Sequence, residues 1–220
     1  MCNLYAIGDI HGHLSVLEDL FASIPFQEKD EIVFVGDYID RGPNSSGVVD
    51  FLIDKKNKFP EMVFLRGNHE DMFLDFLQGT NRYQANFFEE TVGVETLRSY
   101  GHTSGNSFSL SPEHQKFYEE LLFFYETANF LFVHGGFRPG VPISEQESSD
   151  MVWIREDFMG AKYDFGKPVV FGHTPLYEIL DELPFLLGID TGLVYGGKLT
   201  CVKLREGKIE ETFQIGQGKN

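Results

Sequence analysis

Short apolar runs alternate with longer amphipathic stretches along the first third of this chain. Residues 4–7, 31–35 and 62–65 are compact apolar runs of the kind that form buried strands. Between them, residues 14–24 place Leu14, Val16, Leu17, Leu20 and Phe21 at helical spacing. A second helix is expected from Ser45 to Asn57, capped by Ser45 or Asn44, and a third over residues 69–77. Strand–helix–strand–helix–strand order implies parallel strands joined by helical crossovers. Residues 81–124 read as helical, with Ser111 as a cap and Pro112 in the first helical position. Residues 130–133 and 169–171 are two further apolar strands. From about residue 177 to 215, short strands punctuated by Gly192, Gly196, Gly197 and Gly207 read as an antiparallel meander, a second sheet packed on the first. The fold class expected is therefore α/β. No repeat, linker or low-complexity segment divides the 220 residues, so 1–220 reads as one domain.

Five of these strands are followed at once by potential metal ligands. The motifs are Gly8-Asp9-Ile10-His11-Gly12, Gly36-Asp37-Tyr38-Ile39-Asp40-Arg41-Gly42, Gly67-Asn68-His69-Glu70, His134-Gly135-Gly136 and Gly172-His173. In open α/β sheets, sites assemble at the carboxyl ends of strands. Taken singly, each residue has an ordinary reading. An Asp after a strand forms turns, Asn68 would cap a helix, and a lone His is usually a satisfied polar residue. Taken together, Asp9, His11, Asp37, Asn68, His134 and His173 are six mixed oxygen and nitrogen donors. One structural zinc typically takes four. Six suit two divalent ions sharing a carboxylate, about 3.5–4 Å apart, as in phosphatases and nucleases. The neighbouring glycines let backbone approach an ion closely.

The five motifs, in this order, resemble the phosphoprotein phosphatase family of calcineurin-like metallophosphoesterases, most nearly its small bacterial and phage lambda type. The resemblance implies two packed mixed β-sheets flanked by helices, with a dimetal site at the strand ends. It implies that Asp9, His11 and Asp37 hold one ion and that Asp37, Asn68, His134 and His173 hold the other, with Asp37 bridging. Arg41, Arg155 and Asn68 would bind the substrate phosphate. Asp40 would orient His69, and His69 would protonate the leaving oxygen after attack by a hydroxide shared between the ions. Mixed donors of this kind suit manganese, iron or zinc, with manganese expected to support activity in vitro. Glu70 is expected to be structural, as a salt-bridge partner, and His13, His102 and His114, which match no motif, to be surface residues.

The resemblance leaves the substrate open. Where eukaryotic members carry Ser-Ala-Pro-Asn-Tyr-Cys, this chain reads Gly188-Ile189-Asp190-Thr191-Gly192-Leu193-Val194-Tyr195-Gly196-Gly197. That segment is in the phage and bacterial style, shared with diadenosine tetraphosphate hydrolases. The leading expectation is a phosphomonoesterase acting on serine/threonine, or tyrosine, phosphoproteins, which the chain's shortness favours. The alternative is a dinucleotide polyphosphate hydrolase using the same site. A non-catalytic regulatory binding protein would require a missing ligand or acid, and none is missing.

Composition narrows the partners. A formal charge of −16 opposes nonspecific binding to nucleic acid. Cys2 and Cys201 lie far apart without metal or redox spacing, which points to a reduced, cytoplasmic setting. The first motif begins at residue 8, too early for a signal peptide to precede it, and no apolar run approaches the roughly 20 residues of a membrane span. No membrane partner and no obligate regulatory subunit are expected. The 22 Phe forecast an aromatic core.

Overall fold

The computed structural model describes residues 2–79, 81–102 and 108–218. Its strands alternate with helices as the apolar pattern predicts. β1 (Leu4–Ile7), α1 (Leu14–Ser23), β2 (Glu31–Phe34), α2 (Ser45–Lys58), β3 (Met62–Phe64) and α3 (Asn68–Gln78) form the opening. α4 (Arg82–Phe87), α5 (Val94–Ser99) and α6 (Pro112–Glu119) follow, then β4 (Phe124–Glu126), β5 (Leu131–Val133), α7 (Ser148–Trp153), α8 (Glu156–Met159) and β6 (Val169–Phe171). β7 (Leu180–Glu182), β8 (Leu186–Gly188), β9 (Lys198–Arg205) and β10 (Lys208–Gly216) complete the described chain.

Two mixed five-stranded sheets result, ordered β10-β9-β1-β2-β3 and β4-β5-β6-β8-β7. β1, β2 and β3 are parallel, as the crossovers require. Side-chain parity along the strands builds the layers, because neighbouring residues point to opposite faces. Tyr5 and Ile7 of β1, with Ile32 and Phe34 of β2, pack beneath α1, α2, α3 and α6. Ala6 and Val33 face the other way and meet Phe132, Val170 and Leu187 of the second sheet. Leu131, Val133, Val169 and Phe171 lie on that sheet's far side against Met151 and Phe158 of α7 and α8. A one-residue slip of β1 would strip Tyr5 and Ile7 from the helix-side core, at ~1.5–3 kcal/mol for each large side chain exposed.

Two sequence expectations change and a third narrows to one of its two alternatives. The tail is not a single meander. β7 and β8 finish the second sheet, with β8 parallel to β6, whereas the β9–β10 hairpin returns to the first sheet antiparallel to β1. The helical reading of 81–124 stops short, since Phe124 opens β4, and its portion over 103–107 lies outside the described residues. Asn44, not Ser45, caps α2, its side chain accepting from Gly47 N–H at 3.0 Å. Ser111 caps α6 as expected.

Candidate metal centre and phosphate pocket

The loops after β1, β2, β3, β5 and β6 bring Asp9, His11, Asp37, Asn68, His69, His134 and His173 into one buried cluster. Asp37 occupies its centre. One carboxylate oxygen, Oδ2, lies 3.4 Å from His11 Nε2, and the other, Oδ1, lies 3.3 Å from His134 Nε2. Its two oxygens therefore address two separate groups of donors. His11, Asp37 and His69 form one compact set, and Asp37, His134 and His173 form another. Asn68 Oδ1 joins the second, 3.1 Å from His134 Nε2 and 2.9 Å from His173 Nδ1.

The hydrogen bonds around the rings prepare them to bind a cation. His11 Nδ1–H donates to the Ile39 carbonyl at 2.9 Å, and His134 Nδ1–H donates to the Val35 carbonyl at 2.8 Å. A carbonyl can only accept, so each neutral ring presents a bare Nε2. For His134 that lone pair faces the Asn68 and Asp37 oxygens, three acceptors with no hydrogen between them. A second proton on His134 or a metal ion resolves the conflict. Burial works against that proton, but the Asp37 carboxylate outweighs it and pushes the His134 pKa up. Asp9 shows the same need: its Oδ1 is buried without a hydrogen-bond partner, while Oδ2 accepts from His173 N–H at 3.0 Å. Burial, with Asp190 and Asp37 alongside, pushes the Asp9 carboxyl well above its usual range. Divalent cations would supply the charge this buried acidic cluster lacks, so the residues fit a dinuclear centre.

The backbone is bent to deliver these groups. Seven non-glycine residues adopt positive φ among those described, and five belong to the cluster or its loops: His11, Asp37, Asp40, Arg41 and His173. Such conformations persist only where surrounding structure enforces them. Glu70 is one enforcer. Its buried carboxylate accepts from the N–H groups of Gly67, Asp37, Tyr38 and Ile39 at 2.8–3.3 Å. It is structural, as expected, but it holds backbone rather than a basic side chain. Gly67 and Gly172 supply clearance, since a methyl group at either would strike Asp37 or Asp9.

His69 Nδ1 lies 2.7 Å from Asp40 Oδ2, the pairing expected. Its Nε2 is 4.0 Å from Asp37 Oδ2, and its ring packs edge-on against His11 with centroids 4.7 Å apart. Asp40 is withdrawn from solvent. It is fully buried, bonded by the Thr96 hydroxyl, and its own N–H donates to Thr96 Oγ1 and Ser45 Oγ. Thr96 sits on α5, within residues 81–124, which the sequence marks only as helical. Arg41 and Arg155 both line the open pocket above the cluster, a cavity of about 310 Å³. Arg41 donates to the Tyr195 hydroxyl at 2.7 Å, and Arg155 Nε donates to His173 Nε2 at 2.9 Å. Phe87, Trp153 and Tyr195 also line it.

The surface reading fails for His114, which is buried with Nε2 2.9 Å from Asp50 and Nδ1 2.7 Å from the Tyr100 hydroxyl. His102 is largely covered beside Glu89, and His13 is half-buried against the His11 carbonyl. These rings satisfy themselves within the helical layer. Sequence reading also missed Asp190, which lines the pocket, is buried, and accepts from Gly192 N–H at 3.0 Å. Burial pushes its pKa up to about 6. It follows β8 as Asp9 follows β1, a signal hidden by reading β8 as part of an antiparallel meander.

A cluster of mixed carboxylate, amide and imidazole donors beneath two arginines defines a metallophosphoesterase. The chain belongs to the calcineurin-like phosphoesterases, whose family model matches residues 3–206, and members of that family use a dinuclear divalent metal centre. It is 30% identical to bis(5'-nucleosyl)-tetraphosphatase PrpE [asymmetrical] of Oceanobacillus iheyensis, in an alignment covering 91% of this chain and 88% of the relative. A crystal structure provisionally assigned as a diadenosine tetraphosphatase superposes with a TM-score of 0.72 at 22% identity, covering 99% of this chain and 95% of the other. A serine/threonine phosphatase of Saccharomyces cerevisiae, with similarity to human PP5, gives 0.69 at 14% identity, covering 100% and 81%. Both structural likenesses establish the shared fold. Shortness does not set this chain apart from tetraphosphatases, since it spans most of the length of the PrpE relative.

Proposed function

We propose that the chain hydrolyses bis(5'-nucleosyl) tetraphosphates, the reading ranked second on sequence. The observation that carries it is the nearly full-length match to PrpE at 30% identity. The pocket is compatible with that substrate, since it joins two arginines for phosphate to the exposed aromatic side chains of Phe87, Trp153 and Tyr195.

Asp9, His11 and Asp37 would hold one divalent ion, and Asp37, Asn68, His134 and His173 the second. Their oxygen and nitrogen donors suit Mn²⁺. When bound, the ion pair offsets the buried negative charge and makes water acidic enough to serve as a nucleophile near neutral pH. Arg41 and Arg155 bind non-bridging phosphoryl oxygens, where the planar guanidinium fork matches the oxygen spacing. Asp40 fixes the His69 ring through Nδ1. That leaves Nε2 to place a proton on the departing oxygen. Thr96 and Ser45 lock Asp40, so the acid is aimed by a chain of buried hydrogen bonds.

Mn²⁺-supplemented protein tested on diadenosine tetraphosphate and on phosphoserine and phosphotyrosine peptides decides the reading. Off-centre cleavage to AMP and ATP is expected, with kcat/KM above that on any peptide. Efficient peptide dephosphorylation with no dinucleotide cleavage would return the phosphoprotein reading to first place.

A further inference from the structure

A second cavity of about 430 Å³ adjoins the phosphate pocket and shares Pro175 and Tyr195 with it. The two differ sharply in charge. The phosphate pocket is lined by Arg41, Arg155, Asp37 and Asp190. No charged side chain lines its neighbour, whose walls include Leu176, Tyr177, Tyr195, Gly192 and Gly196. Tyr177 is 105% exposed and Tyr195 is 65% exposed. Two large rings held in water beside one uncharged cleft are unusual for side chains with only a packing role. Tyr195 is anchored there. Its hydroxyl accepts from Arg41 at 2.7 Å, it ends a short 3₁₀ turn, and left-handed Gly192 and Gly196 flank it.

We infer that this cleft seats one nucleoside of the substrate, with Tyr177 and Tyr195 as stacking faces. The inference deepens the tetraphosphatase reading and rests on it. A dinucleoside polyphosphate is charged along its phosphate chain and uncharged at the base and ribose. The two joined cavities divide the same way, and Tyr195 spans the junction, lining both while its hydroxyl holds the phosphate-side arginine. Stacking tolerates any base, because every base has a π face. The cleft therefore supplies affinity for a nucleoside without strong choice among bases.

The test is direct binding, read by calorimetry on Mn²⁺-loaded protein, of ATP and of inorganic tripolyphosphate. Both carry three linked phosphates and only one carries a nucleoside. ATP is expected to bind at least about fivefold more tightly, the lower end for loss of one base–aromatic stack. Tyr177→Ala should shrink that ratio toward one, and Tyr177→Trp should restore it. A ratio near one in the unmodified protein, or a ratio unchanged in Tyr177→Ala, would overturn the assignment. Cleavage of diadenosine tetraphosphate is scored separately. Cleavage with a Tyr177-independent ratio leaves the activity standing and removes the seat. A Tyr177-dependent ratio without cleavage removes the activity and keeps a nucleotide seat.

Discussion

The two sheets contribute to the site by different means. The first sheet supplies Asp9, His11, Asp37 and Asn68 from the loops after β1, β2 and β3, the last two tied to each other by Glu70. The second supplies His134, His173 and Asp190, with Arg155 resting on His173. Both proposed carboxylate ligands come from the first sheet while the imidazoles are divided between the two, and Asp37 alone reaches both sets with separate oxygens. The site is thus assembled across the sheet–sheet packing, and its weakest point is predicted to be the loop that crosses it.

Asp37→Asn should show the largest effect. An amide offers one oxygen where two are used, and it carries no charge. Affinity for both ions should fall by more than the roughly 10–100-fold typical of a residue that only supports a ligand. In the unmodified protein, Mn²⁺ at about a hundred times its dissociation constant should stabilise the fold by ~2.7 kcal/mol. Thermal melts with and without Mn²⁺ should lose that increment in Asp37→Asn. If Asp9→Asn loses it and Asp37→Asn keeps it, Asp37 does not join the two halves.

His69→Asn comes next and sharpens the division between ligand and acid. The His11–Asp37–His69 grouping permits His69 as a ligand, whereas its bond to Asp40 suits an acid. As an acid, its loss should retain both ions and lower kcat by about 10²–10⁴ on an alkyl phosphate. The loss should be far smaller on diadenosine tetraphosphate, whose leaving phosphate oxygen needs little protonation. Asp40→Asn should be a milder copy. Loss of bound metal in His69→Asn, by elemental analysis, would make it a ligand.

Glu70→Gln tests the first-sheet loop without touching a proposed ligand. The glutamine amide nitrogen would confront two of the four backbone N–H groups now satisfied. Two buried unsatisfied donors cost roughly 2–6 kcal/mol, to be read from the urea midpoint. The variant should also bind Mn²⁺ more weakly because the Asp37 loop loosens. Unchanged stability would assign the loop's shape to Gly36 and Gly67 instead.

The candidate ligands of both sheets were legible because strand, glycine and ligand are adjacent in the chain, so local reading picked out Asp9, His11, Asp37, Asn68, His69, His134 and His173. Asp190 was not, because its significance depends on β8 running parallel to β6, a pairing no local pattern encodes. Thr96 resembles any helical threonine until α5 is seen packed over Asp40. Glu70 was legible as structural but not as the anchor of four N–H groups, since three of its partners come from a loop 31–33 residues earlier. Substrate rank suffered for a similar reason. The shared motifs describe phosphate chemistry, whereas the flanking aromatics come from separate segments around Phe87, Trp153, Tyr177 and Tyr195.

The smallest effect belongs to the junction between the charged pocket and the uncharged cleft. Tyr195→Phe keeps the ring and removes only the acceptor that Arg41 uses. Arg41 is held at φ 66°, and its guanidinium also lies 5.7 Å from the Tyr195 ring centre. The ring contact survives, so the loss is that of one hydrogen bond to a charged group at an exposed site. Such a bond contributes ~0.5–1.5 kcal/mol or somewhat more, which converts to roughly a two- to tenfold rise in KM with little change in kcat. Aryl phosphate and diadenosine tetraphosphate should be affected alike, because the phosphate contact proposed for Arg41 is common to both. Tyr195→Ala should add a second loss confined to the dinucleotide, since it also removes the stacking face. Equal behaviour of the Phe and Ala variants on both substrates would show that the Tyr195 ring contributes nothing beyond its hydroxyl and would confine recognition to the charged half of the site.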